Sequence, residues 1–375
     1  MGLPGCAART DAHAGGPARS CGQPSEAQEL TRIRQIVREA VKMRVCVVGG
    51  TGNISTSIVR LLLEEGHEVC VYNRGQRPGL PDGVRHLPGD RQERADFEAA
   101  MQAERFDAAI DMICYNPDDA RSTLRAFRDV GHLIFTSTVC TYGVEYDWLP
   151  VTEDHPLRPI TPYGTNKAAA ERVFLEAHYR DDFPVTIIRP STTFGPRWPM
   201  LRQLDCNANP SWIDRVRKGK PIVVCGDGRA LHQWLYVDDA ALAYVNVLGR
   251  ERCFGRTYNM TRPEFGTWEE YHHIAMRVIG REVEMVGVPL STLLAVGAPA
   301  LGTCTSIFSH NTIYSPARLM RDVPEFRPRV PLEDALGRVL EAMDREGRIP
   351  DSDQSDWEDR LIAAQRRVGE LELGL

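Results

Sequence analysis

From Met43 onward, short apolar runs alternate with longer stretches whose apolar residues recur every three or four positions. Runs at 44–48, 68–73, 107–112, 132–137 and 185–189 have the composition of buried strands, and each is bounded by turn residues. The helical period falls near 55–65, 95–103, 117–130 and 165–178. This alternation predicts an α/β fold built on a doubly wound parallel sheet. Past Pro190 the pattern loosens into proline-rich loops, short strands around 221–224 and 233–237, and helices starting near Asp239 and Thr267. The expected organisation is a first domain at 43–198, completed by about 233–262, and a smaller C-terminal lobe at 199–232 and 263–345. A charged tail at 346–375 reads as one surface helix. Residues 1–42 match neither pattern. Their Gly, Ala, Pro and Arg content reads as a disordered extension, with a short helix from Ser25.

Composition narrows the class. The 375 residues carry 45 basic against 51 acidic side chains, a formal net charge of −6, which argues against nucleic acid or an anionic membrane as partner. No apolar run is long enough to span a bilayer. The ten cysteines are scattered without a C-x-x-C pair, so they read as reduced thiols of a cytoplasmic protein, with no metal site. Only four of the cations are lysines: Lys42, Lys167, Lys218 and Lys220. A lysine inside a motif therefore stands out.

The first strand runs into Gly49-Gly50-Thr51-Gly52-Asn53-Ile54, which opens a helix. Glycines there let the backbone approach a pyrophosphate, and the helix N-terminus offers free N–H groups, so a dinucleotide is the expected ligand. The second strand ends at Asn73-Arg74. An acidic residue there would suit the ribose of NAD, whereas the Arg74 fork suits a 2′-phosphate, so NADP(H) is preferred and NAD(H) is the alternative. Asp90 is placed to accept from the adenine amino group, with Arg91 beside it at the surface rim of the same site. Tyr163 and Lys167 stand at i and i+4, on one face of a helix. A nearby ammonium would lower the phenol's pKa and make Tyr163 a usable acid/base. Thr138, at the end of the strand at 132–137, could hold the substrate oxygen beside it.

Further motifs join these: Tyr142-Gly143, Arg189-Pro190 before Phe194-Gly195-Pro196, Gly226-Asp227-Gly228, and Tyr236-Val237-Asp238-Asp239. With them the chain resembles the extended short-chain dehydrogenase/reductase superfamily, in its sugar epimerase, dehydratase and reductase branch, from Met43 to about Met343. The resemblance implies a Rossmann domain with a C-terminal substrate-binding lobe and a Thr138/Tyr163/Lys167 triad. It also implies a homodimer through the helices near 117–130 and 160–180.

Departures from the family pattern shape the expected chemistry. Val139 and Cys140 replace the Asp-Glu pair of the dehydratases, so a 4,6-dehydratase is disfavoured. Ser55 stands at the third glycine position. His232 stands where nucleotide-sugar enzymes carry a diphosphate-gripping arginine, and Ser191-Thr192-Thr193 lacks the family's asparagine. Substrate contacts are expected from Asp111, Thr138, Thr192, Arg197 and His232, with Arg202 as a further anion contact and Trp198, Trp212 and Trp234 as stacking surfaces. Asp111 reads equally well as a helix cap. The leading expectation is an NAD(P)(H)-dependent oxidoreductase on a sugar or glycoside carbonyl or carbinol, a keto-sugar reductase or epimerase, acting on an amino-sugar-type substrate without a nucleotide diphosphate. A nucleotide-sugar 4-epimerase with tightly held NAD is the second reading. A non-catalytic dinucleotide sensor or an RNA-binding relative is the alternative of another class.

Overall fold

The computed structural model describes residues 42–77, 79–206 and 209–370. The extension before them, where a short helix is expected from Ser25, and the last five residues of the tail lie outside the described residues. The described residues from Met43 onward form one compact unit.

Six strands, β1 (Arg44–Val48), β2 (Glu68–Asn73), β3 (Arg85–Pro88), β4 (Ala108–Asp111), β5 (His132–Thr136) and β6 (Val185–Pro190), join the later strand Thr257–Met260 in one sheet. The order is Thr257–Met260, β6, β5, β4, β1, β2, β3, and every pairing is parallel. Strand order reverses between β1 and β4, where ligands bind beyond the strand ends in sheets of this kind.

Both faces of the sheet are covered, which is why the central strands are apolar throughout. The helices Asn53–Glu64 and Val237–Val247 cover one face through Ile58, Leu62 and Tyr244. The helices Arg94–Gln102, Pro117–Ala126 and Pro162–Asp181 cover the other through Phe97, Ala120 and Phe174. Local chemistry sets the helix starts. Asn116 and Thr161 cap their helices by accepting from the N–H of Asp119 and Gly164, and each is followed by a proline suited to the first turn.

Later segments share a further core of Trp212, Trp234, Trp268, Tyr271, Phe308 and Leu336. Trp212 and Trp234, expected as sugar-stacking surfaces, are therefore interior packing. The tail also differs from expectation. Its helix Trp357–Gly369 buries Leu361 and Ile362 in a cluster with Val223, Val286 and Leu293, and its Glu358, only 4 % exposed, pairs with Arg202 at 3.0 Å. An arginine buried that deeply needs a carboxylate, and the tail supplies it. Arg202 is thus unavailable to an anionic substrate.

Candidate active site

A cleft of about 740 Å³ opens beyond the C-terminal ends of β1, β2, β4, β5 and β6. The Gly49–Gly52 loop forms its floor. A Cβ on Gly50 would lie 2.6 Å from Val71, and one on Gly49, whose φ is +89°, would lie 2.7 Å from Ile113, so neither position has room for a side chain. Ser55, at the third glycine position, ties the loop together. Its hydroxyl donates to the Gly49 carbonyl at 2.7 Å and accepts from the Gly52 N–H at 2.8 Å.

Asn53, Ile54, Asn73, Arg74 and Asp90 all line the cleft. Two buried polar atoms there, Asn53 Oδ1 and Asn73 Nδ2, have no partner within the protein. Such atoms call for a polar ligand. Together with the glycine-rich loop and the helix N-terminus, they fit a dinucleotide. Arg74, largely exposed, stands 3.8 Å from Asp90 at the mouth, and Arg77 and Gln76 line the same end.

Arg91 corrects the sequence reading. Its guanidinium is buried, forked onto both Asp111 oxygens at 3.0 and 2.8 Å, and bonded to the Thr123 hydroxyl at 2.9 Å. Asp111 is fully buried, accepts from Thr123 at 2.7 Å and from the Ile113 N–H at 3.0 Å, and so cannot contact substrate or nicotinamide ribose. Each charge neutralises the other in a place where neither could stand alone.

His232 is corrected as well. It is buried, stacked on Trp268 with centroids 5.0 Å apart and edge-on to Phe308, and its two nitrogens meet the hydroxyls of Thr312 at 2.8 Å and Thr192 at 2.7 Å. Burial lowers its pKa to about 3, so it is neutral and cannot clamp an anion. Thr192 spends its hydroxyl on that histidine. Because side chains alternate along a strand, its neighbour Thr193 lines the cleft instead. Arg197 is exposed and reaches the Gly79 carbonyl at 3.5 Å, outside the residues that line the cleft. Of the proposed stacking surfaces, Trp198 alone lines it.

Thr138, Tyr163 and Lys167 come together at the inner end of the cleft. Lys167 is buried, and its Nζ donates to the carbonyls of Thr136 at 2.6 Å and Cys114 at 2.7 Å. Burial lowers its pKa to about 8. The expectation that this ammonium lowers the phenol's pKa is not met. Burial, then the neighbouring Cys140 and Tyr115, hold Tyr163 well above an ordinary phenol, with the Thr138 hydroxyl pulling the other way. The ammonium is engaged with two carbonyls, and its Nζ lies 5.8 Å from the Tyr163 ring centroid. Tyr163 is consequently protonated at neutral pH.

Tyr115, Arg77 and Thr193 are among the lining residues that escaped the sequence reading. Tyr115 follows β4 at the reversal of strand order, so topology alone could have singled it out.

Comparisons with known proteins agree with this architecture. Residues 45–260 match the NAD dependent epimerase/dehydratase family. The chain is 31 % identical over 248 residues to a 2′-dehydrokanamycin reductase of Streptomyces kanamyceticus, covering 66 % of this chain and 70 % of that one. It is 27 % identical to the chloroplast stem-loop binding protein of 41 kDa b of Arabidopsis thaliana, over 62 % of each chain. Among solved structures, an epimerase from Methanothermobacter thermautotrophicus superposes with a TM-score of 0.68 at 17 % identity, over 85 % of this chain and 97 % of that one, a likeness of fold. None of the described helices is long and apolar enough to cross a membrane. The matched family spans more than half the sequence and its strand-loop-helix site is intact, so the chain belongs to the NAD dependent epimerase/dehydratase family and is an enzyme of the extended short-chain dehydrogenase/reductase type.

Proposed function

We propose that the protein is an NADP(H)-preferring reductase of a keto group on a sugar or glycoside of amino-sugar type that carries no nucleotide diphosphate. The observation that carries this reading is the distribution of cations along the cleft. Among the described lining residues the cations are Arg74, Arg77, Arg91 and Lys167. Arg91 and Lys167 are consumed by Asp111 and by two carbonyls, and the other two follow β2, at the end suited to a 2′-phosphate. With Arg202 and His232 both withdrawn, the inner end presents no free arginine to an anionic substrate. The similarity to a 2′-dehydrokanamycin reductase supports the same substrate class.

A bound nicotinamide cofactor would supply hydride to the substrate carbon. The chain's own groups would do the rest. The glycine loop, Asn53 and Asn73 hold the dinucleotide, and the Thr138 hydroxyl orients the substrate carbonyl oxygen. Tyr163, protonated at neutral pH, donates its phenolic proton to that oxygen as negative charge develops there. Lys167 keeps a positive charge beneath the site. A donor held protonated favours the reductive direction.

The test is a screen for NADPH oxidation against keto derivatives of aminoglycosides and against keto sugars linked to UDP or dTDP. Turnover confined to the first set is expected, and turnover confined to the second overturns the substrate class. Tyr163→Phe should reduce turnover by on the order of 10²–10⁴ while leaving cofactor affinity nearly unchanged. Tightly held NAD in the purified protein, detected by mass spectrometry after denaturation, would refute the preference for NADPH-driven reduction.

A further inference from the structure

Between β4 and the helix Pro117–Ala126 the chain passes through Met112-Ile113-Cys114-Tyr115-Asn116. Two buried carboxylates pin this loop. Asp111 accepts from the Ile113 N–H at 3.0 Å, and Asp119 accepts from the Tyr115 N–H at 3.0 Å. Between the pins, the Cys114 carbonyl receives the Lys167 ammonium, and the Tyr115 ring centroid lies 5.1 Å from the same Nζ. Phe135 stands 5.0 Å away on another side.

This ammonium is 1 % exposed, and among the described residues no carboxylate forms an ion pair with it. A lone buried charge is costly unless its protons find acceptors. Two carbonyls take two of them, and aromatic faces offer the remaining attraction. Phe135 is fully buried in the core, where packing alone accounts for it. Tyr115 is not, because 47 % of it is exposed and it lines the cleft. Its place over the lysine therefore points to a role at the site.

We propose that Tyr115 is a positioning residue of the catalytic site, its ring closing a cradle of carbonyls and aromatic faces that keeps Lys167 charged and aimed at the cleft. The proposal rests on reading Lys167 as the cation of the reductase site. Its charge can nevertheless be measured without turnover. The groups facing Lys167 are Cys114 and Asp111 at the end of β4, Arg91 after β3, and Glu171 on its own helix, together with the phenols of Tyr115 and Tyr163. Cys114, Asp111 and Glu171 favour the charged form and Arg91 opposes it. All four remain in the variants below.

The scarcity of lysine makes the measurement direct, since the full chain labelled with [ε-¹³C]lysine carries four reporters. Lys167 is assigned by the signal lost in Lys167→Arg. Its titration midpoint in the wild-type chain should fall near about 8. Tyr115→Phe, which keeps the ring, should leave the midpoint within a few tenths of a unit. Tyr115→Leu and Tyr115→Met keep apolar bulk without the π face and should lower it by on the order of one unit. A midpoint unchanged in both aliphatic variants overturns the proposal, and so does an equal fall in Tyr115→Phe. Unimpaired turnover by Tyr163→Phe would instead refute the functional reading and leave the cradle standing.

Discussion

Acidification tests how the buried histidines are held. His132, His232 and His272 lie inside the protein, and burial lowers each pKa to about 3. Local bonding explains why protonation is refused. His132 accepts from the Gly249 N–H at 3.1 Å and His272 from the Gln203 N–H at 3.5 Å, so a proton on either nitrogen would face another N–H. In the unfolded chain an imidazole titrates near about 6.5. The folded values are depressed, so the stability they contribute is full above about pH 6.5 and is lost as pH falls toward about 3. Between pH 7.5 and 5.5 the unfolded state takes up roughly one proton at each position that the folded state does not. The loss is about 1.4 kcal/mol per histidine and about 4 kcal/mol for the three, a large part of the ~5–15 kcal/mol typical of a folded protein. Urea unfolding followed by tryptophan fluorescence at pH 7.5, 6.5 and 5.5 measures it. The slope near pH 5.5 should correspond to between two and three protons, and His232→Gln should remove about one. A wild-type slope below about one proton would falsify the reasoning. A slope unaffected by His232→Gln would show that His232 is charged in the folded protein, and would restore it as an anion contact.

Two further substitutions probe the cleft. Arg74→Glu should weaken NADPH binding by about 10- to 100-fold and leave NADH binding nearly unchanged, by calorimetric titration, since a charge-assisted bond to a phosphate carries ~1.5–3 kcal/mol. Equal affinity of wild type and variant for NADPH sinks the NADP preference. Arg91→Leu strands Asp111 in the interior and should cost about 3–5 kcal/mol in urea unfolding, whereas Arg91→Leu combined with Asp111→Leu should recover much of that loss. A single variant as stable as the wild type would contradict the buried pair.

The alternation of buried strands and helices was legible because each central strand is covered on both faces, leaving unbroken apolar runs such as Val45–Val48. The glycine loop and the spacing of Tyr163 and Lys167 were legible for a related reason, since each depends on neighbours in sequence. What the chain did not disclose depends on distant partners. Arg91 looks like a surface charge and Asp111 like a substrate contact or helix cap until the fold brings the two together across 20 positions. His232 looks like a loop ligand until three aromatic rings and two threonines enclose it. The pattern placed Tyr163 beside a cation correctly, yet it could not show that two backbone carbonyls compete for that cation's protons.

The pairing of Arg202 with Glu358 spans 156 residues. During synthesis the ribosome emits the guanidinium long before its carboxylate exists, and Trp357–Gly369 is the last helix among the described residues. Until that helix emerges, Arg202 has the Val223 carbonyl within reach but lacks the carboxylate that neutralises it, and burying it unpaired is costly. The seven-stranded sheet meets no such delay, because its last strand ends at Met260. The sheet whose strand ends carry the cleft can therefore be completed earlier in translation than the packing that Arg202 and Glu358 hold together.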